Sequence, residues 1–303
     1  MTPPSISIVL PTKNGAASLP ALLDALARQR VDAPFEIVAV DSSSTDGTVE
    51  LMRRRTDRLI SIPADQFDHG LARNRGIQEA TGELVVLLVQ DAVPASDSWL
   101  SALITPLLAD SRLAGTFARQ QARPDAGALA HHYLAGWMAA SDVPRTFSID
   151  DVRAFEALDP RSRLDRCGFD NVCSCIRRTV WAAHPFRSTP IGEDLEWARE
   201  VLLSGYRLAY VPDAVVMHSH HRPATYELAR TVLLHRRLYE LFGLRTIPTL
   251  PRLARAIASS LRLHWRLERT ARSLALAVAW PLGQYLGAVS AVRGWKPFRS
   301  RRV

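Results

Sequence analysis

The sequence contains little cysteine and has no leader-like start, and each absence excludes a class of protein. Three cysteines among 303 residues, Cys167, Cys173 and Cys175, are too few and too close together for a disulfide scaffold. Their Cys-Ser-Cys spacing lacks the usual zinc-binding loop, so they are predicted to be small buried thiols. The first fourteen residues, MTPPSISIVLPTKN, contain no basic segment followed by a long apolar run, so we expect no signal peptide and a cytoplasmic protein.

The net charge of +8 is distributed unevenly along the chain. Residues 222–303 hold 15 Arg and one Lys against three Glu, a net charge of +13, which leaves −5 for residues 1–221. A basic segment behind an acidic body predicts a phosphate-bearing partner for that segment, either an anionic lipid surface or nucleic acid. The composition, 47% hydrophobic and 22% charged, is otherwise that of a globular protein.

Short apolar runs alternate with helical patterns over the first part of the chain, which predicts βαβ units and a parallel sheet flanked by helices. The sequence pattern from residue 222 onward predicts helices only, and residues 120–164 show no clear pattern. The predicted strands lie at 6–10, 36–40, 59–62, 84–89, 113–119, 206–211 and 214–218, and the predicted helices at 19–29, from 48, at 69–80, 98–108 and 191–204.

Two acidic residues directly follow predicted strands. Asp91 ends the run LVVLLVQD, and Asp41 ends the run EIVAVD. Ligands of such sheets bind beyond the carboxyl ends of the strands, so both carboxylates are candidates for a metal or a phosphate-bearing ligand. The alternative is a local role, in which Asp91 begins a turn and the hydroxyl-rich loop after Asp41 caps one.

Two predicted helix starts carry further candidates. Arg73 and Asn74 lie near the start of the helix at 69–80, where guanidinium groups suit an anionic or nucleotide ligand, although a solvated basic face would have the same composition. Glu193 and Asp194 open the helix at 191–204. The helix dipole alone favours acids there, but an adjacent pair in a cleft could also supply a general base.

Three histidines, at positions 218, 220 and 221, follow the last predicted strand. Because alternate residues of a strand share a face, His218 and His220 could point the same way. An imidazole combined with the Asp91 carboxylate makes a nitrogen and oxygen donor set suited to a divalent ion such as manganese or magnesium. One of the three, His218, is predicted to be the ligand.

The C-terminal segment has two membrane-like features. Residues 250–272 place arginines among apolar residues and Trp265, which is the composition of a helix lying in the headgroup plane of an anionic membrane. Residues 273–292 carry no charge and are long enough to span a bilayer, but one proline and two glycines interrupt them. We predict peripheral membrane binding; a span, or a helix that packs within the protein or an oligomer, are the alternatives.

Six stretches, in this order, resemble the family-two inverting glycosyltransferases with the GT-A fold, especially the bacterial rhamnosyltransferase-like members. They are SIVLPTKNG, EIVAVDSSSTDGT, FDHGLARNRGIQEATGE, LVQDAVPAS, IGEDLEWA and GYRLAYVPDAVVMHSH. The resemblance implies an α/β nucleotide-diphospho-sugar transferase fold, with a Rossmann-like, mostly parallel sheet and a C-terminal helical extension. It also implies a catalytic domain at 1–221, divided into a nucleotide-sugar-binding half (1–119) and an acceptor-binding half (120–221), followed by a basic helical extension at 222–303.

The resemblance also implies roles for individual residues. Asp194 matches the catalytic base, Glu193 lies beside it on the acceptor side, and Asp91 and His218 match the metal ligands. Where the family has Asp-x-Asp this chain has Val89-Gln90-Asp91, so the first acid is replaced, in a form familiar among the rhamnosyltransferase-like members. Donor binding is implied for Pro11, Thr12, Asn14, Asp41, Ser43, Arg73, Asn74, Gln90 and Asp91.

The implied activity is inverting transfer of a sugar, L-rhamnose from dTDP-rhamnose, to a hydroxyl of a cell-envelope glycan or lipid-linked acceptor, with Mn²⁺ or Mg²⁺ as cofactor. A double displacement would need a nucleophile that nothing in the sequence singles out. The alternatives are hexose transfer from a UDP-sugar, and a non-catalytic GT-A protein that binds membrane or nucleic acid through its basic helices. The expected partners are a nucleotide-sugar donor, a saccharide acceptor and the anionic inner face of the plasma membrane, with no nucleic acid.

Overall fold

The computed structural model describes residues 4–295, which form a nine-stranded sheet covered by helices on both faces. The first part follows the predicted alternation of strands and helices. Its elements are β1 (Ile6–Thr12), α1 (Leu19–Ala27), β2 (Phe35–Asp41), α2 (Thr48–Arg55), β3 (Arg58–Ser61), α3 (His69–Glu79) and β4 (Leu84–Leu88).

The second part of the sheet includes the segment in which the sequence showed no clear pattern. That segment contains short helices and a 3₁₀ turn at Met138–Ala140. Another 3₁₀ turn, Ala64–Gln66, lies between β3 and α3. The elements are β5 (Val93–Pro94), α4 (Trp99–Ala109), β6 (Leu113–Gln121), α5 (Ala128–Ala135), β7 (Arg145–Phe147), α6 (Val152–Ala157), α7 (Pro160–Arg166), β8 (Cys173–Arg177), α8 (Arg178–Ala183), α9 (Glu193–Leu203) and β9 (Arg207–Met217).

The strand order is β3-β2-β1-β4-β8-β6-β9-β5, and β7 also pairs with β9. Strands β1 to β4 are parallel, β8 lies antiparallel between β4 and β6, and β6 is parallel to β9. The carboxyl ends of β1, β2, β4, β6 and β9 therefore lie along one edge of the sheet, together with the amino end of β8. We call this edge the functional edge.

Both faces of the sheet are packed against helices, which explains why the strands read as uninterrupted apolar runs. Ile8 on β1 faces the layer that contains α1 and α4, whereas its neighbour Val9 faces the layer that contains α3 and α9. Each layer has a fully buried tryptophan, Trp99 on α4 and Trp197 on α9. Burying side chains of this size contributes about 1.5–3 kcal/mol each, and this rigid core fixes the functional edge.

Strand β8 was not predicted, and it makes the second half of the sheet mixed. Its sequence, CSCIR, lacks the β-branched run that marks the other strands. Cys173 and Cys175 pack into one core layer, and Ser174 donates a hydrogen bond to Asn171 (2.8 Å). The predicted, mostly parallel sheet is confirmed, with β1 to β4 parallel and β6 parallel to β9, and β8 is an antiparallel strand that the sequence did not predict. The predicted buried thiols are confirmed, since all three cysteines are free and buried and burial raises the pKa of Cys167 to about 12.

The two strands predicted at 206–211 and 214–218 are one strand, β9. Pro212 and Asp213 were expected to separate them, but the pairing of β9 with β6 continues from Val211 to Val215 across a bulge. Proline is tolerated at a bulge because no ladder hydrogen bond requires its missing N–H. The bulge lets β9 extend to Met217 and carry the histidines to the functional edge.

Three helices complete the described chain: α10 (Ala224–Phe242), α11 (Leu250–Leu267) and α12 (Ala271–Val292). The predicted helical extension is thus confirmed up to residue 295, and residues 296–303 of it lie outside the described residues. α10 begins four residues after His220, and Arg272 Nε at the start of α12 donates to the Arg222 carbonyl (3.0 Å). The histidine segment therefore lies between the sheet and these helices, and contacts both.

α12 packs closely along α10. A Cβ on Gly283 would come within 2.7 Å of Thr231 Cβ, and one on Gly287 within 2.5 Å of the Val232 carbonyl oxygen. α12 is long and apolar enough to cross a membrane, with a mean hydropathy of 1.3, yet 44% of that stretch is buried inside the protein. The glycines that interrupt the apolar run are therefore the residues that permit this packing.

α11 carries four exposed arginines, at positions 252, 255, 262 and 266, and Arg269 is exposed just after the helix; we call this surface of five arginines the arginine face. At 100° per residue the four on the helix lie within an arc of about 80°. Trp265 is 53% exposed beside them. The opposite side is fixed to α5: His264 Nε2 lies 2.8 Å from the Tyr133 hydroxyl, and Glu268 accepts from the Leu129 N–H (3.0 Å).

Candidate active site

The predicted site residues meet at the functional edge. Thr12 and Asp41 are the last residues of β1 and β2, Asp91 follows β4, and His218 follows β9. The first turn of α9 reaches the same place, because Asp194 accepts from the backbone N–H of Asn171, just before β8 (3.3 Å). The fold thus brings together residues up to 206 positions apart in the sequence.

Asp41 is completely buried and organises the loop after β2. Its Oδ1 accepts from Thr12 Oγ1 (3.0 Å) and Ser44 Oγ (2.5 Å), and its Oδ2 accepts from the Ser44 N–H (2.9 Å). Asp41 therefore joins the end of β1 to the hydroxyl-rich loop. The contacts predicted between a donor and Asp41, Thr12 or the half-buried Pro11 remain predictions.

The loops after β1 and β2 are hydrogen-bonded to each other. Asn14 and Ser43 adopt the left-handed conformation, with φ of 46° and 61°, which is uncommon for residues other than glycine. Asn14 Oδ1 accepts from the Thr45 N–H (2.9 Å), and Ser43 Oγ donates to the Ile62 carbonyl (2.9 Å). Both side chains remain exposed at the edge, in loops whose shape is fixed by these bonds. Their predicted donor contacts are not tested.

Gln90, the middle residue of the Val89-Gln90-Asp91 stretch, braces the loop after β1. Its Oε1 accepts from the Lys13 N–H (2.8 Å), and its Nε2 donates to the Lys13 carbonyl (2.9 Å). A carboxylate has no N–H and could make only the first of these bonds. The amide of Gln90 therefore fixes the end of β4 to the end of β1.

Asp91, His218 and His220 form a compact cluster. One ligand atom from each lies within 4.8 Å of the others. His218 Nε2 is 3.6 Å from Asp91 Oδ1, and His220 Nδ1 is 3.1 Å from Asp91 Oδ2. His220 was not predicted as a ligand, although its spacing from His218 indicated that the two share a face. Arg123 donates to the Asp91 carbonyl (2.7 Å) and fixes the backbone beneath the cluster.

The cluster is electrostatically prepared for a cation. Burial alone would raise the pKa of Asp91, but the hydrogen bond from His220 and the charges of His218, His220 and Arg222 together lower it to about 2. Burial, reinforced by the charge of His220, lowers the pKa of His218 to about 3. At neutral pH the cluster thus offers a carboxylate and a neutral imidazole, the forms that bind metals.

The residues present fit a divalent ion. His218 Nε2 is buried and has no hydrogen-bond partner among the described residues, and a buried nitrogen without a partner is costly unless a ligand completes it. Imidazole nitrogens and a carboxylate match Mn²⁺ better than Mg²⁺, which prefers oxygen ligands.

Arg73 and Glu193, predicted as separate contacts to nucleotide and acceptor, are paired with each other. Arg73 Nη1 lies 2.7 Å from Glu193 Oε1, and both side chains are buried. Burial would raise the pKa of Glu193, but the charges of Arg73 and His69 lower it. Arg73 Nη2 also donates to the Asn171 carbonyl (3.3 Å). The pair therefore supports the loop before β8 and the start of α9.

Asn74 uses its whole amide within the protein. Its Nδ2 donates to the Phe186 carbonyl (2.7 Å), while its Oδ1 accepts from Trp181 Nε1 (2.8 Å) and from the Phe186 N–H (3.1 Å). In the structure Asn74 thus holds the chain that leads from α8 towards α9. Its predicted contact with the donor would require these bonds to be exchanged.

Asp194 lies in the first turn of α9 with a carboxyl group that resists ionisation. Burial, followed by the charges of Glu193 and Asp170, raises the pKa of Asp194 to about 7. Its oxygens accept from the backbone N–H groups of Leu195 (2.8 Å) and Asn171 (3.3 Å). A carboxyl group with a pKa near neutrality is suited to general-base catalysis.

Several side chains of the edge were missed by the sequence reasoning. Asp170 is buried just before β8, and Gln120 is buried near the end of β6. Both lie next to segments that carried no recognisable pattern. The signal that could have found them is position: once β8 and β6 are assigned, polar residues at their ends are expected at the same edge as Asp91.

Comparisons with known proteins agree with this picture. Residues 7–178 match Glycosyl transferase family 2. The O-antigen chain rhamnosyltransferase WbaN of Salmonella anatum is 29% identical over 234 residues, which cover 75% of this chain and 70% of WbaN. The O-antigen chain rhamnosyltransferase RfbN of Salmonella typhimurium is 26% identical over 235 residues, which cover 74% of this chain and 69% of RfbN.

A solved structure extends the likeness over nearly the whole chain. The mannosyltransferase PcManGT from Pyrobaculum calidifontis, determined in complex with GDP-Man and Mn²⁺, matches with a TM-score of 0.55 and 20% identity. The match covers 98% of this chain and 77% of that one. At this identity the likeness shows the fold, and it confirms the predicted GT-A architecture with its C-terminal helical region.

Proposed function

The chain belongs to glycosyl transferase family 2, and we propose that this glycosyltransferase moves L-rhamnose from dTDP-rhamnose to a hydroxyl of a cell-envelope glycan or lipid-linked saccharide, with inversion. The likeness to two O-antigen chain rhamnosyltransferases, each over about three quarters of this chain, supports the choice of sugar. The observation that carries the catalytic part is the Asp91–His218–His220 cluster at the same sheet edge as Asp194, an acid whose pKa is raised to about 7.

We assign the cation to Asp91, His218 and His220. A divalent ion held by these three side chains would stabilise the negative charge that the diphosphate acquires as it leaves. Arg123 and Arg222, whose charges act on His218, add positive potential on the same side. The donor lies against residues 1–119, with the loops after β1 and β2 fixed by Asp41, Asn14 and Gln90, and the acceptor against residues 120–221.

Asp194 is the general base of the proposed reaction. Its ionised oxygen takes the proton from the acceptor hydroxyl while that oxygen forms a bond to the anomeric carbon. The bond between the anomeric carbon and the phosphate oxygen breaks, and the nucleoside diphosphate leaves with that electron pair. Such proton removal contributes about 10²–10⁴-fold in rate. Glu193 stays ionised because the charge of Arg73 lowers its pKa, and the negative charge of Glu193 helps to raise the pKa of Asp194 to about 7.

A donor panel tests this proposal. Turnover of dTDP-rhamnose, UDP-glucose, UDP-galactose and GDP-mannose is measured with Mn²⁺ and with EDTA. We expect turnover with dTDP-rhamnose that EDTA abolishes and that Asp194→Asn lowers by about 10²–10⁴-fold. Asp91→Asn should raise the Mn²⁺ concentration needed for half-maximal rate. Asp213→Asn, at an exposed position in the β9 bulge, is the matched control and should leave both quantities unchanged.

Each outcome decides a different part of the proposal. A preference for a UDP- or GDP-hexose would contradict the proposed donor sugar, but it would leave the proposed transferase activity and cation site standing. Turnover that is insensitive to EDTA would remove the cation site. Full activity of Asp194→Asn would remove the base.

The arginine face supports a location for the enzyme on the inner surface of the plasma membrane. Four of its arginines are exposed on one side of α11 beside the half-exposed Trp265, and the fifth, Arg269, is exposed just after the helix. Interfacial helices carry basic residues and tryptophan in this arrangement, and each arginine near an anionic surface contributes about 1 kcal/mol. A lipid-linked acceptor would be presented at that surface, close to α5, on which α11 is anchored.

A further inference from the structure

The second ring nitrogen of His218 is held by a chain of buried polar side chains. His218 Nδ1 lies 3.0 Å from Gln120 Oε1, and Gln120 Nε2 donates to Asp170 Oδ2 (2.7 Å). All three side chains are buried, with exposures of 7%, 5% and 8%. Histidine, glutamine and aspartate thus form a linear relay from β9, across β6, to the segment before β8.

Asp170 fixes the direction of the hydrogen bonds in this relay. Its Oδ2 also accepts from Trp137 Nε1 (3.0 Å), and its Oδ1 accepts from the Val172 N–H (2.8 Å). An indole and a backbone amide can only donate, so each carboxyl oxygen accepts a hydrogen bond, and these bonds favour the ionised form although burial raises the pKa of Asp170. An ionised carboxylate has no proton to donate, so the Gln120 amide group faces Asp170 with its NH₂ and His218 with its carbonyl oxygen.

This orientation selects one tautomer of His218. A carbonyl oxygen accepts, so the proton of the neutral ring lies on Nδ1. Nε2 then carries the lone pair, and it is Nε2 that is buried without a partner and faces Asp91. If the Gln120 amide were reversed, the proton would lie on Nε2 and the ring could not bind a cation at that atom.

We propose that Gln120 and Asp170 are positioning residues that hold His218 as the Nδ1–H tautomer, so that Nε2 is presented to the divalent cation. The relay sets the ring orientation before any cation arrives. Residues behind a metal-binding histidine typically change metal affinity by 10–100-fold when they are altered. The part that concerns the cation depends on the metal site proposed above, whereas the tautomer itself does not.

The tautomer is measured directly by ¹⁵N NMR of histidine-labelled full-length protein without metal, at pH 8. The signal of His218 is identified by its loss in a His218→Asn variant. We expect the Nδ1–H form for His218 in the wild type. The Nε2–H form would overturn the proposal, whatever the result of any metal titration.

Two variants test the relay with Mn²⁺ binding as the readout. Gln120→Met removes the acceptor from Nδ1 at similar volume, and we expect mixed tautomers and 10–100-fold weaker Mn²⁺ binding. In Gln120→Glu/Asp170→Asn/Trp137→Phe the acid and the amide exchange places, and no indole N–H faces the new amide NH₂. An acceptor then again faces Nδ1, and this triple variant should keep the Nδ1–H form and bind Mn²⁺ within about threefold of the wild type.

Controls separate positioning from general loss of structure. Gln29→Met removes another amide that both donates and accepts, between α1 and α4, and should leave Mn²⁺ affinity unchanged. His235, whose Nδ1 lies against Thr246 Oγ1, should keep its tautomer in every variant. If the triple variant lost affinity as Gln120→Met does, the relay would be only a packing feature. A wild type with the Nδ1–H form but no Mn²⁺ binding would instead overturn the cation site proposed above.

Discussion

At the scale of single residues, the proposed general base, Asp194, lies in surroundings that oppose its charge. Burial and the neighbouring acids Glu193 and Asp170 raise its pKa to about 7. The folded protein therefore binds a proton at Asp194 that the unfolded chain releases near its ordinary pKa. Between those two values stability falls as the pH rises, because the native state holds more protons than the unfolded state.

We predict that kcat rises with pH and reaches half its maximum near pH 7, because only the ionised carboxylate accepts the proton. A pH–rate profile with saturating dTDP-rhamnose and Mn²⁺ measures this. Asp194→Asn should abolish the profile and raise the melting temperature at pH 8, since it removes a charge that the fold disfavours. A flat wild-type profile between pH 5.5 and 8 would exclude Asp194 as the base.

Glu193 is predicted to act mainly on stability. Glu193→Gln removes the counter-charge of the buried Arg73 and should lower the free energy of unfolding by about 3–5 kcal/mol. The matched control is Glu79→Gln, which breaks the exposed Arg75–Glu79 pair on the same helix α3 and should cost less than about 1 kcal/mol. Urea unfolding measures both. Equal effects of the two variants would contradict the assigned role of the buried pair.

The location of a site residue could be predicted from the sequence where it depends only on the residue's place at the end of a strand. Asp91 and His218 follow apolar strands, so their location at one edge followed from the pattern. The bonding of Gln90 and the pairing of Arg73 with Glu193 could not be predicted, because each depends on a partner more than 70 residues away. Hydrogen-bond partners of this kind are set by register and loop shape, which local sequence does not encode.

At the scale of elements, the crossing of α10 and α12 depends on two glycines. We predict that Gly287→Ala destabilises the protein by about 1–3 kcal/mol, because the new Cβ would lie 2.5 Å from the Val232 carbonyl oxygen and the two helices must separate. Gly136→Ala, whose Cβ would meet only the Tyr133 carbonyl oxygen at 3.7 Å, is the control. Thermal unfolding measures both. Equal melting temperatures would show that α12 is not tightly packed on α10.

Elements with strong periodicity were predicted closely, and those fixed by tertiary context were not. β1, β2 and β4 are buried on both faces, so their apolar runs are distinctive. β8 begins with two cysteines and a serine and has only one β-branched residue, Ile176, and its strand character comes from pairing on both sides with β4 and β6. The bulge in β9 depends likewise on the register of β6, so Pro212 looked like a strand end in the sequence.

At the scale of the whole molecule, the proposed binding of the basic C-terminal helices to anionic lipid can be tested directly. Arg262→Gln/Arg266→Gln removes two charges from the arginine face, and at about 1 kcal/mol per arginine this should weaken binding to phosphatidylglycerol vesicles roughly 30-fold. Arg53→Gln/Arg54→Gln removes two exposed charges from α2 and is the matched control. Vesicle co-sedimentation of the full chain is the measurement.

Binding by the wild type should also fall as salt is raised, because exposed charges are screened. Equal losses in the two double variants would indicate attraction by net charge alone. Equal binding to phosphatidylcholine vesicles would exclude recognition of anionic lipid.

The boundary at residue 221 that the sequence predicts has a physical consequence for engineering. His218 and His220 lie between the end of β9 and the start of α10, and Arg272 holds the neighbouring backbone from α12. A hybrid enzyme that joins residues 1–221 to the helices of another family member would lose the helices that hold the proposed metal ligands in place. The junction of a functional hybrid should therefore lie before β9, so that His218 and His220 come from the same protein as α10 and α12.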